Sequence, residues 1–115
     1  MIHQMGLYER PFRSIQSGKK TVEVRLYDEK RRGIHVGDII EFVKVSDEKE
    51  TVKVKVMALQ PYETFADMYR DIPFSFFDCE GWTMEEMLEA TYAIYTKEQE
   101  RQWGALAIYI QLLDE

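Results

Sequence analysis

The sequence predicts an α+β fold in which a small mixed β-barrel is surrounded by helices. Two patterns support this prediction. Several segments alternate apolar and polar residues with the period of a strand, and others place apolar residues at the spacing of an amphipathic helix. The strands follow one another in a run and the helices are grouped, which is typical of α+β domains. We expect the last strand to return beside the first and close the barrel.

The chain begins with a predicted strand, a helix and a second strand. Residues 3–8 form the short first strand. Residues 9–18 form the helix, with Pro11 suited to its first turn and Gly18 to its end. Residues 21–26 form the second strand, because Val22 and Val24 alternate with polar side chains.

A hairpin follows a polar, charged connection. The connection ends in a tight turn at Gly37 and Asp38. Residues 39–45 and 51–59 are its two strands, since the second alternates valine with lysine almost throughout. Residues 46–50 are expected to form the turn between them.

The second half predicts three helices and a closing strand. A threonine N-cap precedes each helix, and two of the three caps have the spacing of a capping box. An aromatic loop over residues 72–82 separates the first helix from the second, and residues 105–113 form the strand. The capping residues are Thr64, then Thr83 with Glu86, and then Thr96 with Gln99.

The overall composition indicates a single globular domain over residues 1–115. Cys79 is the only cysteine, so neither an intrachain disulfide nor a CxxC metal site can form. The sequence shows neither an apolar stretch long enough to span a membrane nor a signal-peptide pattern at its start. We therefore expect a cytoplasmic protein with no membrane partner, no metal and no cofactor.

The charge is unevenly distributed along the chain. The net charge is −6, which argues against general binding to a polyanion. Residues 10–34, however, contain eight basic and three acidic residues, so this segment is basic and the remainder is strongly acidic. Such a local basic patch suits a small anionic ligand or a short piece of nucleic acid. The alternative is an ordinary solvated face.

The stretch GKKTVEVR is the main candidate for function, because common catalytic motifs are absent. Alternation places Thr21, Glu23 and Arg25 on one face of the strand together with Lys19, and it places Lys20 with the valines. An arginine offers a fork of donors to a phosphate or a base edge, and a glutamate accepts from an exocyclic amine such as that of cytosine. The alternative is a solvated sheet face.

The aromatic loop is a second candidate. It combines Trp82 and three phenylalanines with Glu80. An aromatic side chain beside a carboxylate suits a flat heterocycle, which would stack on the ring and hydrogen-bond through its edge. The alternative is that these rings pack beneath the loop.

The sequence as a whole resembles the ASCH domain family, whose name abbreviates activating signal cointegrator homology. The signature GxKxxExR is filled by Gly18, Lys20, Glu23 and Arg25. The Gly-Asp turn, the stretch VKVKVMALQPYETFADM and the closing WGALAIYIQLL extend the similarity over about residues 3–113. The chain looks closest to the small stand-alone prokaryotic branch with KxxEVR.

This resemblance implies a PUA-like mixed β-barrel with flanking helices that frame a cleft, lined by the signature residues. It also implies a role near RNA, as a binding module or as an enzyme acting on a modified nucleoside. One bacterial branch removes the acetyl group from acetylcytidine with a lysine, a threonine and a glutamate. By position these fall on Lys20, Glu23 and Glu80, so a carboxylate replaces the threonine; Thr21 is a candidate substitute on the same face.

Three functions follow as hypotheses. The first is a binding module for RNA or a nucleotide. Its ligand-binding residues would be Lys19, Lys20, Thr21, Glu23, Arg25, Arg13 and Trp82, with Arg31 and Arg32 as further flanking basic residues. The second is an amidohydrolase that deacylates an N-acylated cytidine nucleoside with Lys20, Glu23 and Glu80 as catalytic residues. Its lysine would have to lose a proton, which the adjacent Glu23 opposes. The third is an interaction domain for a protein partner.

Overall fold

The computed structural model describes residues 1–113, apart from the side chain of Glu48. The last two residues of the predicted domain therefore lie outside the described part. The strands are β1 (Ile2–Leu7), β2 (Val22–Leu26), β3 (Ile39–Lys44), β4 (Asp47–Tyr62) and β5 (Ala105–Leu112). The helices are α1 (Glu9–Gln16), α2 (Glu29–Arg32), α3 (Phe65–Asp71), α4 (Met84–Tyr92) and α5 (Lys97–Trp103), and a 3-10 turn covers Phe74–Phe77.

The strands form one curled sheet in the order β1-β3-β4-β5-β2. Strands β1 and β3 are parallel, and the other neighbours are antiparallel. This mixed half-barrel with helices confirms the predicted α+β class. The expected closure of the last strand onto the first is wrong, because β5 pairs with β4 and β2. Strands β1 and β2 are the two edges of the sheet.

Two hydrophobic clusters cover the two faces of the sheet. One lies inside the curl and includes Phe12 and Ile15 of α1 with Phe42 of β3. The other packs α3 on the outer face through Phe65 and Met68, and α4 through Met87. Strand β5 contributes to both clusters because its side chains alternate between them. The apolar stripes of α1 and α3 thus fix these helices on opposite sides of the sheet.

The capping predictions are confirmed by the hydrogen bonds at the helix ends. Both capping boxes are complete, at Thr83 with Glu86 and at Thr96 with Gln99. The Thr64 side chain also caps α3. Helix α2 was not expected within the polar connection; it is a single turn whose cap is the Asp28 side chain. The hairpin turn is shorter than expected, since β4 begins at Asp47.

The Gly37–Asp38 turn anchors the start of β1. The His3 Nε2 atom lies 2.7 Å from Asp38 Oδ2, and the His35 backbone N–H donates to the same oxygen. The hydrogen bond from His3 and that from the His35 backbone lower the pKa of Asp38 to about 2. These contacts hold the turn against the edge strand, which gives the Gly-Asp pair a structural role.

The polar face of β2 is not solvated, although its alternation is that of a half-exposed strand. Glu23 is 3% exposed and Arg25 is 9% exposed. Glu23 lies opposite Ile108, and Arg25 lies opposite Leu106, both on β5. The two charged side chains therefore share the inner face of the sheet with buried apolar residues, and they face the open gap between β2 and β1.

Candidate functional site

A cavity of about 570 Å³ lies where the two edge strands face each other. Strand β2 supplies its floor through Glu23, Val24 and Arg25. The end of β1 and helix α1 form one wall, and α3, α4 and the aromatic loop form the other. The open edge of the half-barrel thus forms the cleft that the resemblance implied, and its volume is typical of a small-ligand site.

The floor of the cavity is an ion triad centred on Glu23. Lys20 Nζ lies 3.0 Å from Glu23 Oε1, and Arg25 Nε donates to Glu23 Oε2 at 2.7 Å. Burial alone would raise the pKa of Glu23, but the charges and hydrogen bonds of Lys20 and Arg25 outweigh it and hold the pKa below its usual range. Glu23 is therefore an ionised carboxylate that holds the Lys20 and Arg25 side chains in position.

Arg25 also connects the two edge strands. Its Nη2 atom donates to the Gly6 carbonyl oxygen of β1 at 2.9 Å. This bond crosses the gap in which β1 and β2 do not pair with each other. Arg25 consequently fixes the width of the cavity at its floor as well as the orientation of Glu23.

The end of α1 brings Lys20 to the cavity and leaves Lys19 outside it. Gly18 has a positive φ of 78°, which ends the helix, and β2 begins only at Val22. The backbone N–H groups of Lys19 and Lys20 both donate to the Ser14 carbonyl oxygen. Strand alternation does not apply across this bend, so Lys20 reaches Glu23 while Lys19 is exposed.

The remaining predicted site residues divide between the cavity and the surface. Trp82 lines the cavity, and the Arg10 guanidinium lies 5.3 Å from its ring centroid. Thr21 is exposed and serves through its backbone, which bonds to Phe76 and Ile110. The Arg13 and Glu80 side chains are exposed and lie outside the cavity lining. Arg13 instead forms a two-point ion pair with Glu50.

The carboxylate that the aromatic loop contributes is Asp78 instead of Glu80. The loop turns at Asp78, whose φ of 59° is left-handed, so residues on either side of it point in different directions. Asp78 Oδ2 accepts a hydrogen bond from Ser14 Oγ at 2.7 Å, and both residues line the cavity. Nothing in the periodicity of the loop indicates this reversal.

Several further cavity residues were not predicted. They come from elements that are distant in sequence. The signals in the sequence that could have indicated a role in binding were the basic side chain of Arg10 and the aromatic rings of Tyr69 and Tyr95. The Tyr69 hydroxyl lies 2.6 Å from Thr91 Oγ1, and burial raises the pKa of Tyr69 to about 12. The additional polar residues are Arg10, Ser14, Tyr69, Asp78, Thr91 and Tyr95. Arg31, which was expected among the basic residues that hold the RNA, lines the cavity with them.

The described residues offer neither a metal site nor a membrane-spanning helix. Within residues 1–113, no group of three or more histidine, cysteine, aspartate or glutamate side chains is placed to hold a metal ion. None of the helices in that range is long and apolar enough to cross a bilayer. Burial also raises the pKa of the Cys79 thiol, as does Asp78 beside it, which does not favour a nucleophilic thiolate.

The fold and the signature residues in the cavity define a class of protein. The sequence profile of the ASCH domain matches residues 5–114, and the chain belongs to the ASCH domain family. Members of this family have a PUA-like fold and are linked to RNA binding in general. The family assignment and the fold class expected from the sequence are thereby confirmed.

Solved structures show what the chain is similar to. It is 36% identical to hypothetical protein PH0355, which has a crystal structure. The match covers 98% of this chain and 100% of the PH0355 chain, with a TM-score of 0.87. It is 35% identical to protein PF0455 from Pyrococcus furiosus, known from a solution NMR structure, with full coverage of both chains and a TM-score of 0.79.

An ASCH domain from Lactobacillus crispatus shares the fold. It is 14% identical, with a TM-score of 0.62, and the match covers 96% of this chain and 79% of that one. No curated protein sequence is significantly similar to the chain.

Glu23→Gln is expected to destabilise the protein in a pH-dependent way. A carboxyl group with a lowered folded-state pKa stabilises the fold above its unfolded value, near 4.3, and loses this effect as the pH falls through the folded value. At pH 7 the variant leaves two buried cations unpaired, so the free energy of unfolding should fall by about 3 kcal/mol. Below roughly pH 4 the difference between variant and wild type should shrink.

Urea unfolding at several pH values measures this difference, with Glu80→Gln as the matched control. The Glu80 side chain is exposed, so its variant should lie within about 0.5 kcal/mol of wild type. Equal loss of stability in the Glu23 and Glu80 variants, or a loss for Glu23→Gln that does not change with pH, would contradict the role assigned to the ion triad.

Proposed function

We propose that this ASCH domain binds RNA or a nucleotide in the cavity above the Lys20–Glu23–Arg25 triad. The observation that carries the proposal is a set of unused hydrogen-bonding groups at the floor of a cavity of ligand size. A lysine has three N–H donors and an arginine five. Lys20 uses one on Glu23, and Arg25 uses its Nε and Nη2 atoms. The others are available to a ligand.

The triad suits the edge of a nucleobase. The ammonium group of Lys20 can donate to ring nitrogen and carbonyl acceptors. Each Glu23 oxygen receives one bond and retains capacity to accept another, for example from the exocyclic amine of cytosine. Donors and an acceptor on adjacent side chains are what the recognition of a base edge requires.

The mouth of the cavity suits a stacked base. Trp82 presents a ring there with Arg10 over it. Tyr8, Val45 and Ile94 also line the cavity, although each is more than half exposed to solvent. Aromatic and guanidinium planes stack on bases with little dependence on sequence. An exposed apolar rim around a polar floor is therefore consistent with a ligand that enters base first.

The charges favour a short ligand over a long strand. The protein has a net charge of −6, so its outer surface repels an extended polyanion. The cavity lining is positive by contrast. Its basic residues are Arg10, Lys20, Arg25 and Arg31, and its acidic residues are Glu23 and Asp78. A cytoplasmic location agrees with an RNA ligand and with a single unpaired cysteine, Cys79.

A labelled single-stranded RNA of about six nucleotides should bind with salt-sensitive affinity. Fluorescence anisotropy between roughly 50 and 200 mM salt measures the effect, and the slope of log K against log salt should be about −0.7 for each phosphate neutralised. Lys20→Met should weaken binding about tenfold, because it removes a charged donor from the floor.

Lys19→Met is the matched control for this experiment. Lys19 is adjacent in sequence and is exposed outside the cavity, so its loss should change the affinity by no more than about threefold. Circular dichroism verifies that both variants are folded. Equal effects of the two variants, or no binding at the lowest salt, would refute the proposal.

An amidohydrolase acting on an N-acylated cytidine is the second candidate. Water would add to the acetyl carbonyl, the amide C–N bond would break, and acetylcytidine plus water would give cytidine plus acetate, with a proton delivered to the leaving amine. The observation in its favour is Asp78, a carboxylate inside the cavity that is held by Ser14. The ion pair between Lys20 and Glu23 weighs against it, because a lysine acting as base would have to give up that partner.

Incubation with acetylcytidine, followed by chromatography of the products, tests this candidate. If the candidate is correct, cytidine release is lost in Lys20→Ala and in Asp78→Asn and retained in Glu80→Gln, since Glu80 lies outside the cavity. Release that persists in Lys20→Ala rules out the lysine mechanism, and absence of release from folded wild-type protein leaves binding as the function.

A further inference from the structure

The end of the cavity nearest α2 contains one buried side-chain donor that has no partner among the described residues. Arg31 Nε is buried and makes no hydrogen bond within residues 1–113, although Arg31 Nη1 donates to Asp28 Oδ2 at 3.1 Å. Buried donors are rarely left unsatisfied, because desolvation without a partner is costly. An orphaned donor in a cavity wall indicates a place where a ligand or an ordered water supplies the acceptor.

Two further groups meet Arg31 at this end. The Nε and Nη2 atoms of Arg25 donate to Glu23 and Gly6, whereas its Nη1 atom makes no hydrogen bond to any described residue. The Tyr95 hydroxyl likewise has no partner within residues 1–113 and lines the same cavity. Burial raises the pKa of Tyr95 against the opposing charges of Arg25 and Arg31, so its hydroxyl is protonated at neutral pH and can donate.

The cations of the cavity are distributed between its two ends and its floor. Arg10 lies over the Trp82 ring at one end, and Arg25 and Arg31 are the cations whose charges act on Tyr95 at the other. Lys20 and Arg25 flank Glu23 between these ends. The carboxylates at the Tyr95 end are Asp28 and Glu23, which pair with Arg31 and Arg25. Donors that remain after these pairs form come from three side chains that line the same cavity, an arrangement that suits the several acceptor oxygens of one phosphate group.

We propose that Arg25, Arg31 and Tyr95 form a phosphate subsite, and that the ligand of this cavity is recognised through a phosphate as well as through its base. This inference rests on the proposed function, since it assigns the two ends of a bound nucleotide. The phosphate occupies the Tyr95 end, and the base occupies the Trp82 end over Lys20. A free nucleoside would leave the Arg31 donor unpaired.

Calorimetric titration with three probes tests the subsite: cytidine, cytidine 5′-monophosphate and the dinucleotide CpC. We expect at least one phosphate-containing probe to bind roughly tenfold more tightly than cytidine. Tighter binding of the monophosphate assigns the subsite to a terminal phosphate, and tighter binding of CpC assigns it to the RNA backbone. Equal affinity of all three probes for wild-type protein would overturn the proposal.

Arg31→Met should abolish the preference of the protein for a phosphate-containing probe over cytidine. Arg32→Met is the matched control, because Arg32 follows on the same helix but bonds to the Tyr27 carbonyl and lies over the Tyr27 ring. Tyr95→Phe removes one donor without removing charge and should reduce the preference about threefold, which tests the subsite independently if Arg31→Met does not fold. The proposal fails if the Arg31 and Arg32 variants behave alike.

The outcomes distinguish this inference from the proposed function. Lys20-dependent RNA binding without any phosphate preference would remove the subsite and leave the binding function intact. If neither the short RNA nor any of the three probes binds folded protein, both proposals are refuted.

Discussion

The buried carboxylate of Glu23 is the constraint on which the site depends. A charged group with 3% exposure is stable only if its partners replace the water it has lost, and Lys20 and Arg25 do so at 3.0 and 2.7 Å. Arg25 then extends to the Gly6 carbonyl on the opposite edge strand. A side chain therefore joins β2 to β1 where a closed barrel would have a ladder of backbone bonds, and the space left by that missing ladder is the cavity.

This arrangement explains how an acidic protein presents a positive site. The excess of negative charge is distributed over the outside of the chain, whereas the cations of the signature are held inside by a single carboxylate. Within a partly enclosed cavity a hydrogen bond to a charged group is stronger than at an open surface, because less water competes. The same enclosure limits what can enter, so the fold combines attraction for a small anion with exclusion of an extended polyanion.

Local chemistry made much of the fold predictable. The two capping boxes and the Thr64 cap depend only on residues three positions apart, and all of them formed as expected. The alternation of β2 correctly placed Glu23 and Arg25 on one face. It could not reveal that this face is buried, because the covering residues come from β1 and α4, which are remote in sequence.

The features of the site that the sequence left open have equally specific causes. The choice between Lys19 and Lys20 depends on the left-handed Gly18 and on two backbone bonds to Ser14, neither of which has a periodic signal. The resemblance pointed to Glu80 as the carboxylate of the aromatic loop, but Asp78 lines the cavity and Glu80 is exposed, since the chain turns at the left-handed Asp78. The edge position of β1 was missed because a parallel pairing with β3 leaves no local trace in the sequence.

The most direct test of the central claim uses the two tryptophans of the chain. Trp82 lines the cavity, whereas Trp103 lies on α5 beside a separate groove. In a proton–nitrogen NMR titration with the short single-stranded RNA, the Trp82→Phe variant assigns the two indole signals. We expect the signal of the Trp82 indole N–H to shift until it saturates and that of Trp103 to stay in place. A shift of Trp103 with no change at Trp82 would contradict the proposed binding in the cavity.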